Sequence, residues 1–314
     1  VKKIPLIIDC DPGTDDAVAI LLANSCPHID LLALTPVAGN SSYTYTSDNA
    51  VRLAGFMGGG CRVAKGAKRA LIFDGLAGYQ NKDDIHGGHG MAGVLIENRA
   101  GAKQEDKFAW DVIYEEALAH PGELVIAAIG PLTNIAITLL KHPDIRHYVK
   151  RIYMMGGSAT TGNVSPYAEF NVWVDPHACD IVFKSGIPVT MVGLNATRYA
   201  EFTLEEFEQL TDTPCAITFL LAAINKFIKE ILRQGRRWDL IMHDAITVGA
   251  LIDPDMVKTA PYYVTCETES SQSIGQTVVD RGGHLGRTPN VDVAMYVDKA
   301  RFKDMLQKMI AFYR

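Results

Sequence analysis

A short apolar run, Ile4-Pro5-Leu6-Ile7-Ile8, leads straight into Asp9-Cys10-Asp11-Pro12-Gly13-Thr14-Asp15-Asp16, four carboxylates within eight residues. A second apolar run, Ala17 to Ala23, follows at once. The first run reads as a buried parallel strand and the second as the helix after it. The acids then crowd the turn from strand to helix, where open α/β sheets place their ligands. Like charges so close repel unless a cation or a shared proton intervenes. Oxygen-only donors favour a hard cation, Ca²⁺ or Mg²⁺, over zinc. Asp15 and Asp16 alone would need no function, since acids in a first helical turn suit the macrodipole and cap free N–H groups. Capping does not account for Asp9 and Asp11, which alternate with Cys10 and are expected to share one face of the strand end.

The same rhythm continues along the chain. Strands are predicted at Ile4–Ile8, Leu31–Pro36, Leu124–Ile129, Ile152–Met155 and Val189–Val192. Helices are predicted between them at Asp16–Asn24, Tyr45–Phe56, Trp110–Ala119, Pro131–Lys141 and Pro176–Ser185. Alternation of this kind specifies an α/β fold, a Rossmann-like open and mostly parallel sheet flanked by helices, with its site at the C-terminal strand ends. Further helices are expected at Leu204–Thr211, Cys215–Gln234 and Ala245–Ile252. Late strands follow at Tyr262–Glu267, Gln276–Asp280 and Val291–Val297, then a helix at Lys299–Phe312. No linker or repeat divides residues 1–314, which read as a single domain. Residues 73–105 are rich in Gly, Asp, Asn and His, and a loop that long is usually functional.

Bulk properties exclude several classes. A net charge of −6 leaves no basic footprint for nucleic acid or an anionic membrane. No apolar stretch reaches bilayer-spanning length, and the N-terminus lacks the pattern of a signal peptide. Six scattered cysteines without CxxC spacing suit reduced core thiols, so a cytoplasmic protein is expected.

Three further constellations carry chemistry. Asp84-Ile85-His86-Gly87-Gly88-His89-Gly90-Met91 suits a mobile lid better than a rigid metal pair, because glycines separate the two histidines. In Ala168-Glu169-Phe170-Asn171-Val172, an extended backbone would put Glu169 and Asn171 on one side and Phe170 on the other. With Thr161-Gly162-Asn163, they offer the donors and acceptors a polyhydroxylated ligand needs. His243-Asp244 precedes an apolar helix. Asp244 reads either as its N-cap or as a ligand beside a proton-donating histidine, because neighbouring side chains at a helix start diverge by about 100°.

With these residues in hand, the chain resembles the inosine-uridine-preferring nucleoside hydrolase family over nearly its whole length. The likeness rests on Asp9–Asp16, Val37-Ala38-Gly39-Asn40, Ile85-His86-Gly87 and Ile129-Gly130-Pro131-Leu132-Thr133-Asn134. It continues through Met155-Gly156-Gly157, Gly162-Asn163, Ala168-Glu169-Phe170-Asn171 and His243-Asp244. Within the family, Ala128–Pro131, Met155–Ala159 and Met242–Asp244 look most like the bacterial broad-specificity ribonucleoside hydrolases. The resemblance implies hydrolysis of ribonucleosides to free base and ribose, in nucleoside salvage. It implies a Ca²⁺ ion held by Asp11, Asp16, Asp244 and the main-chain oxygen of Ile129, with Asp11 as general base for a Ca²⁺-bound water. Asp15, Asn171 and Asp244 would grip the ribose 2′- and 3′-hydroxyls, and Asn163 and Glu169 the 5′-hydroxyl. Asn40, Met155 and Phe170 would line the sugar, while His86 and His243 approach the base, His243 as leaving-group acid. A homo-oligomer, dimer or tetramer, is also implied.

Specificity is where this chain departs from some relatives. Two tyrosines that surround the purine in some protozoal members fall, by alignment through Phe219, on Phe227 and Ile231. Phe227 can stack on a base, but neither side chain donates a hydroxyl hydrogen bond. Arg198 falls where relatives often carry His or Asn, and the resemblance gives it no role. Two alternatives compete. Asp9-Cys10-Asp11-Pro12-Gly13-Thr14 also fits the nucleophile loop of a haloacid dehalogenase-type phosphatase, but without that class's later Lys and acidic metal motif. A non-catalytic nucleoside- or Ca²⁺-binding protein on the same fold would be expected to lack Asp11 or Asp244, and both are present.

Overall fold

In the computed structural model, which describes residues 2–73, 75–78, 88–235 and 239–314, strand β1 (Ile4–Cys10) is buried from Pro5 onward. Both faces are covered, which is why its sequence is a continuous apolar run rather than an alternating one. Leu6, Ile8 and Cys10 join one core layer and Ile7 the other. Burying each such aliphatic side chain contributes about 1.5–3 kcal/mol.

The strands that follow are β2 (Ile29–Pro36), β3 (Arg62–Val63), β4 (Leu124–Ala128), β5 (Val149–Met155), β6 (Val189–Val192) and β7 (Val257–Tyr262). They are completed by β8 (Val264–Cys266), β9 (Thr277–Val279) and β10 (Val291–Val297). Among the described residues, eight form the central sheet in the order β3-β2-β1-β4-β5-β6-β10-β7. Every neighbouring pair is parallel except β10 and β7. The strand order reverses between β1 and β4, which opens a crevice at their C-terminal ends.

Helices cover both faces. α1 (Thr14–Ser25), α2 (Tyr43–Phe56), α9 (Thr218–Arg233), α10 (His243–Ile252) and α11 (Lys299–Phe312) pack around Leu6 and Ile8. α3 (Ala109–Ala119), α4 (Thr133–Lys141) and α6 (Pro176–Phe183) pack around Ile7, Ile126 and Ile152. Short elements complete the chain order, α5 (Phe170–Val174), α7 (Leu194–Thr197) and α8 (Leu204–Thr211).

The expected mostly parallel α/β architecture is present, with corrections at its late end. The single strand expected at Tyr262–Glu267 is divided. β7 ends at Tyr262 on the sheet edge, and β8 pairs with β9 in a separate antiparallel hairpin. β7 carries exposed residues and Pro261 and so lacks the apolar run that marks an interior strand. Residues 168–172 are not extended either: Phe170–Val174 is a helical turn capped by Glu169, whose carboxylate accepts the N–H groups of Asn171 and Val172. Asp244 is not an N-cap, because α10 begins one residue earlier, at His243.

Candidate active site

The crevice between β1 and β4 is floored by the acid-rich turn. Asp9 and Asp11 do not act together there, since β1 stops at Cys10 and alternation ends with it. Asp9 is a structural anchor: its Oδ1 accepts from Thr35 Oγ1 at 2.6 Å and Asn134 Nδ2 at 2.8 Å. Asn134 also accepts the Ala67 N–H at 2.8 Å, so one amide ties β1, α4 and the segment after β3 together. Thr35 and Asn134 acquire these duties only through long-range packing, and no local pattern announces them.

Asp11 lies just beyond β1, fully buried. Its Oδ2 accepts the Asn40 N–H at 2.6 Å, while its buried Oδ1 has no hydrogen-bond partner. Two glycines keep space around this carboxylate. A Cβ on Gly130 would stand 2.7 Å from Oδ1, and one on Gly39 would collide with Oδ2. Asp16 points inward from α1 and accepts from the N–H groups of Asp11 (3.1 Å) and Gly13 (3.0 Å) and from Asn40 Nδ2 (3.0 Å). Asp15, the next residue back on α1, is half-buried and lines the cavity. Carboxylate oxygens of Asp15, Asp16 and Asp244 lie within 4.8 Å of one another, close enough for one metal ion. Asp11 stands beside this trio rather than in it.

Such crowding shows in the acidities. Burial above all, then the neighbouring carboxylates of Asp16 and Asp15, push Asp11 well above the usual carboxylate range. Asp244 rises for the same reasons, with Asp15, Asp16 and Asp11 as its neighbours. Burial and Asp15 push Asp16 up to about 7. Buried acids gathered around an unpartnered oxygen are what a hard cation would relieve, and the donor set is all oxygen.

Above the floor is a cavity of about 600 Å³, within the usual size for a small-molecule site. Of the expected residues, Asp15, Asn40, Ile129, Met155, Asn163, Glu169, Phe170, Asn171, Phe227, His243 and Asp244 line it. Asp11 and Asp16 lie beneath its surface, and His86 lies outside the described residues. Phe170 faces the cavity with Glu169 and Asn171, because the turn there is helical rather than extended. Asn171 Nδ2 donates to the main-chain oxygens of Ile129 (3.0 Å) and Met155 (3.2 Å). Glu169 accepts the N–H groups of Gly157 (2.9 Å), Asn171 (3.0 Å) and Val172 (3.2 Å), yet burial still pushes it up to about 7. Asn163 Oδ1 accepts the Phe170 N–H at 3.0 Å.

His243 and Asp244 diverge at the start of α10. Asp244 joins the acids, and His243 Nδ1 meets Thr197 Oγ1 at 2.8 Å. Burial first, and the charge of Arg198, hold His243 below the usual histidine range, against the opposing pull of Asp15 and Asp239. Val18, Leu194, Phe207, Ile224, Phe227 and Ile228 supply the apolar part of the lining. Ile231 is buried one turn beyond Phe227 and does not line the cavity. Asn49 is a further residue that sequence reading passed over. Its amide donates to the main-chain oxygens of Pro12 (3.0 Å) and His89 (2.9 Å), linking the acid turn to the glycine-rich segment.

This geometry has counterparts. Residues 6–304 match the family described as inosine-uridine preferring nucleoside hydrolase. The chain is 35% identical to the pyrimidine-specific ribonucleoside hydrolase RihA of Citrobacter koseri, over 99% of each chain. It is 36% identical to the non-specific ribonucleoside hydrolase RihC of Escherichia coli, over 98% of this chain and 99% of that one. The solved structure of a purine-preferring ribonucleoside hydrolase from Gardnerella vaginalis superposes with a TM-score of 0.89 at 32% identity, covering 98% of both chains. The chain therefore belongs to the inosine-uridine preferring nucleoside hydrolase family, enzymes that cleave the N-glycosidic bond of ribonucleosides to free base and ribose. Among the described residues, no helix is long and apolar enough to cross a membrane. The phosphatase alternative has no support from a match that spans the chain.

Proposed function

We propose that this enzyme hydrolyses both purine and pyrimidine ribonucleosides, with Ca²⁺ held at the acid floor. The observation that carries the reading is the buried, unpartnered Oδ1 of Asp11 beside the carboxylates of Asp15, Asp16 and Asp244, at the base of a nucleoside-sized cavity. Asp11, Asp16, Asp244 and the Ile129 main-chain oxygen would hold the ion. When bound, it supplies Lewis acidity that lowers the pKa of water and orients the ribose hydroxyls.

The chain's own groups do the rest. Asp11 removes a proton from the attacking water. Asp15, Asn171 and Asp244 hold the 2′- and 3′-hydroxyls. Asn163 and the remaining acceptor capacity of Glu169 take the 5′-hydroxyl, while Asn40, Met155 and Phe170 pack the sugar. Positive charge develops on the ribose as the bond breaks, as in sugar hydrolysis, and the carboxylate-rich floor stabilises it. Phe227 stacks on the base. His243, whose Nδ1 lies 2.8 Å from Thr197 Oγ1, approaches the base as the leaving-group acid. Breadth of base is supported by the wall facing the base, which is largely apolar, and by similar identity to relatives named as pyrimidine-specific and non-specific. Six unpaired cysteines suit a reducing compartment, the cytoplasm.

Ribose release from uridine, cytidine, inosine, adenosine and xanthosine tests the reading, with calcium-replete enzyme beside Asp11→Ala. Release from both base classes that disappears in the variant is expected. Release from one class alone would overturn the breadth, and turnover surviving Asp11→Ala would overturn the role of the base.

A further inference from the structure

Cleavage of an N-glycosidic bond separates charge. The ribose becomes positive over the acid floor, and the base that takes the C1′–N electron pair becomes negative at the opposite end. Acids suit the first and oppose the second. The cavity is lined by Asp15, Glu169, Asp239 and Asp244, and Arg198 is the one Lys or Arg among the described residues that line it.

Arg198 follows α7, a short element pinned from two sides. Asn195 donates to the Ala294 main-chain oxygen at 2.8 Å and accepts the Ala159 N–H at 3.0 Å. Thr197 contacts the ring of His243 at 2.8 Å, so the next residue is placed alongside that histidine. The Arg198 guanidinium leans on the neighbouring loop, donating from Nη1 to Thr161 Oγ1 at 2.9 Å and from Nη2 to the Gly162 main-chain oxygen at 3.5 Å. No carboxylate lies within ion-pair distance of it among the described residues. A guanidinium has five N–H donors in a planar fork, so this one is oriented by the loop yet keeps donors and full charge for a ligand.

We propose that Arg198 binds the ring carbonyl oxygens of the departing base, where the leaving charge of an oxo-base falls. This deepens the hydrolase reading and rests on it. In the step, the water oxygen bonds to C1′ and its proton passes to Asp11. The C1′–N pair passes to the base, whose charge is delocalised onto its carbonyl oxygens, and the base takes its proton through His243, which solvent reloads. Hydrogen-bond donors aimed at charge that develops in the transition state act on kcat more than on binding. Inosine and adenosine make the sharpest pair, because they differ at the 6-position by a carbonyl oxygen against an amino group.

The test compares wild type, Arg198→Gln and Arg198→Lys on inosine, uridine, adenosine and p-nitrophenyl β-ribofuranoside, whose phenolate leaves unaided. Arg198→Gln should lose about 10–100-fold in kcat/KM on inosine and uridine, the lower range for a donor at a solvent-facing site. Adenosine and the nitrophenyl riboside should change far less, and Arg198→Lys should recover part of the loss. An equal loss on all four substrates would overturn the assignment and leave Arg198 as a brace for the Thr161–Gly162 loop. No loss on any would overturn it outright. A wild type that releases neither ribose nor nitrophenolate would instead overturn the hydrolase reading beneath it.

Discussion

The two ends of the cavity are built by different rules. At the floor, Asp11, Asp16 and Asn40 are held by main-chain N–H groups and by each other, with glycines at 39 and 130 leaving no room for adjustment. At the apolar wall, Ile224 and Phe227 come from α9 and Leu194 from α7, and Ile224 and Leu194 belong to the packed apolar core. Directional bonds to backbone tolerate no change of side chain, whereas apolar walls accept many shapes. We infer that the floor specifies the reaction and the wall the base. Relatives at 35% and 36% identity that are named for different base preferences fit this division.

The division can be broken at either end. Asp11→Ala should cost on the order of 10⁴ in kcat/KM for every nucleoside, as the water's base is lost, while circular dichroism shows an intact fold. Gly130→Ala places a methyl 2.7 Å from Asp11 Oδ1 and 3.0 Å from Val37 Cγ1. It should weaken calcium binding and cost about 10²-fold in activity, read by calcium titration and steady-state rates.

Removal of calcium should expose the strain at the floor. Burial pushes Asp16 and Glu169 up to about 7, above their values in the unfolded chain. Such groups bind more protons when folded, so their contribution is fullest below the ordinary carboxylate range and is lost as pH rises toward 7. The Tm of chelator-treated protein should fall by several degrees between about pH 5 and pH 8, and calcium should restore it. A flat Tm profile in chelator would contradict this. Smallest of all, Phe227→Leu should shift the inosine-to-uridine ratio by about tenfold or less, the scale of one aromatic stacking contact.

The same contrast explains what could be read from the chain alone. β1, the acid turn and α1 are contiguous, so their chemistry lies in one short stretch with one periodicity. The sheet was equally legible wherever strands are buried on both faces, as at Leu124–Ala128 and Val189–Val192. Legibility failed where tertiary contacts override local pattern. Edge strand β7 is half-exposed and carries Pro261, and Glu169 turns an apparently extended segment into a capped helix. Asp9 looked like a partner for Asp11, and only its bonds to Thr35 and Asn134 reveal an anchor. Asn49 gave no local signal, because its partners at Pro12 and His89 are far away in sequence, and Arg198 stood out only as a departure from relatives.

The most direct test measures kcat/KM for inosine and uridine in wild type, Asp11→Ala and Phe227→Ala side by side. If the floor sets the reaction and the wall the base, Asp11→Ala loses both substrates without changing their ratio. Phe227→Ala then changes the ratio and keeps most of the rate on at least one substrate. A ratio that moves in Asp11→Ala, or an equal collapse of both substrates in Phe227→Ala, would contradict the division.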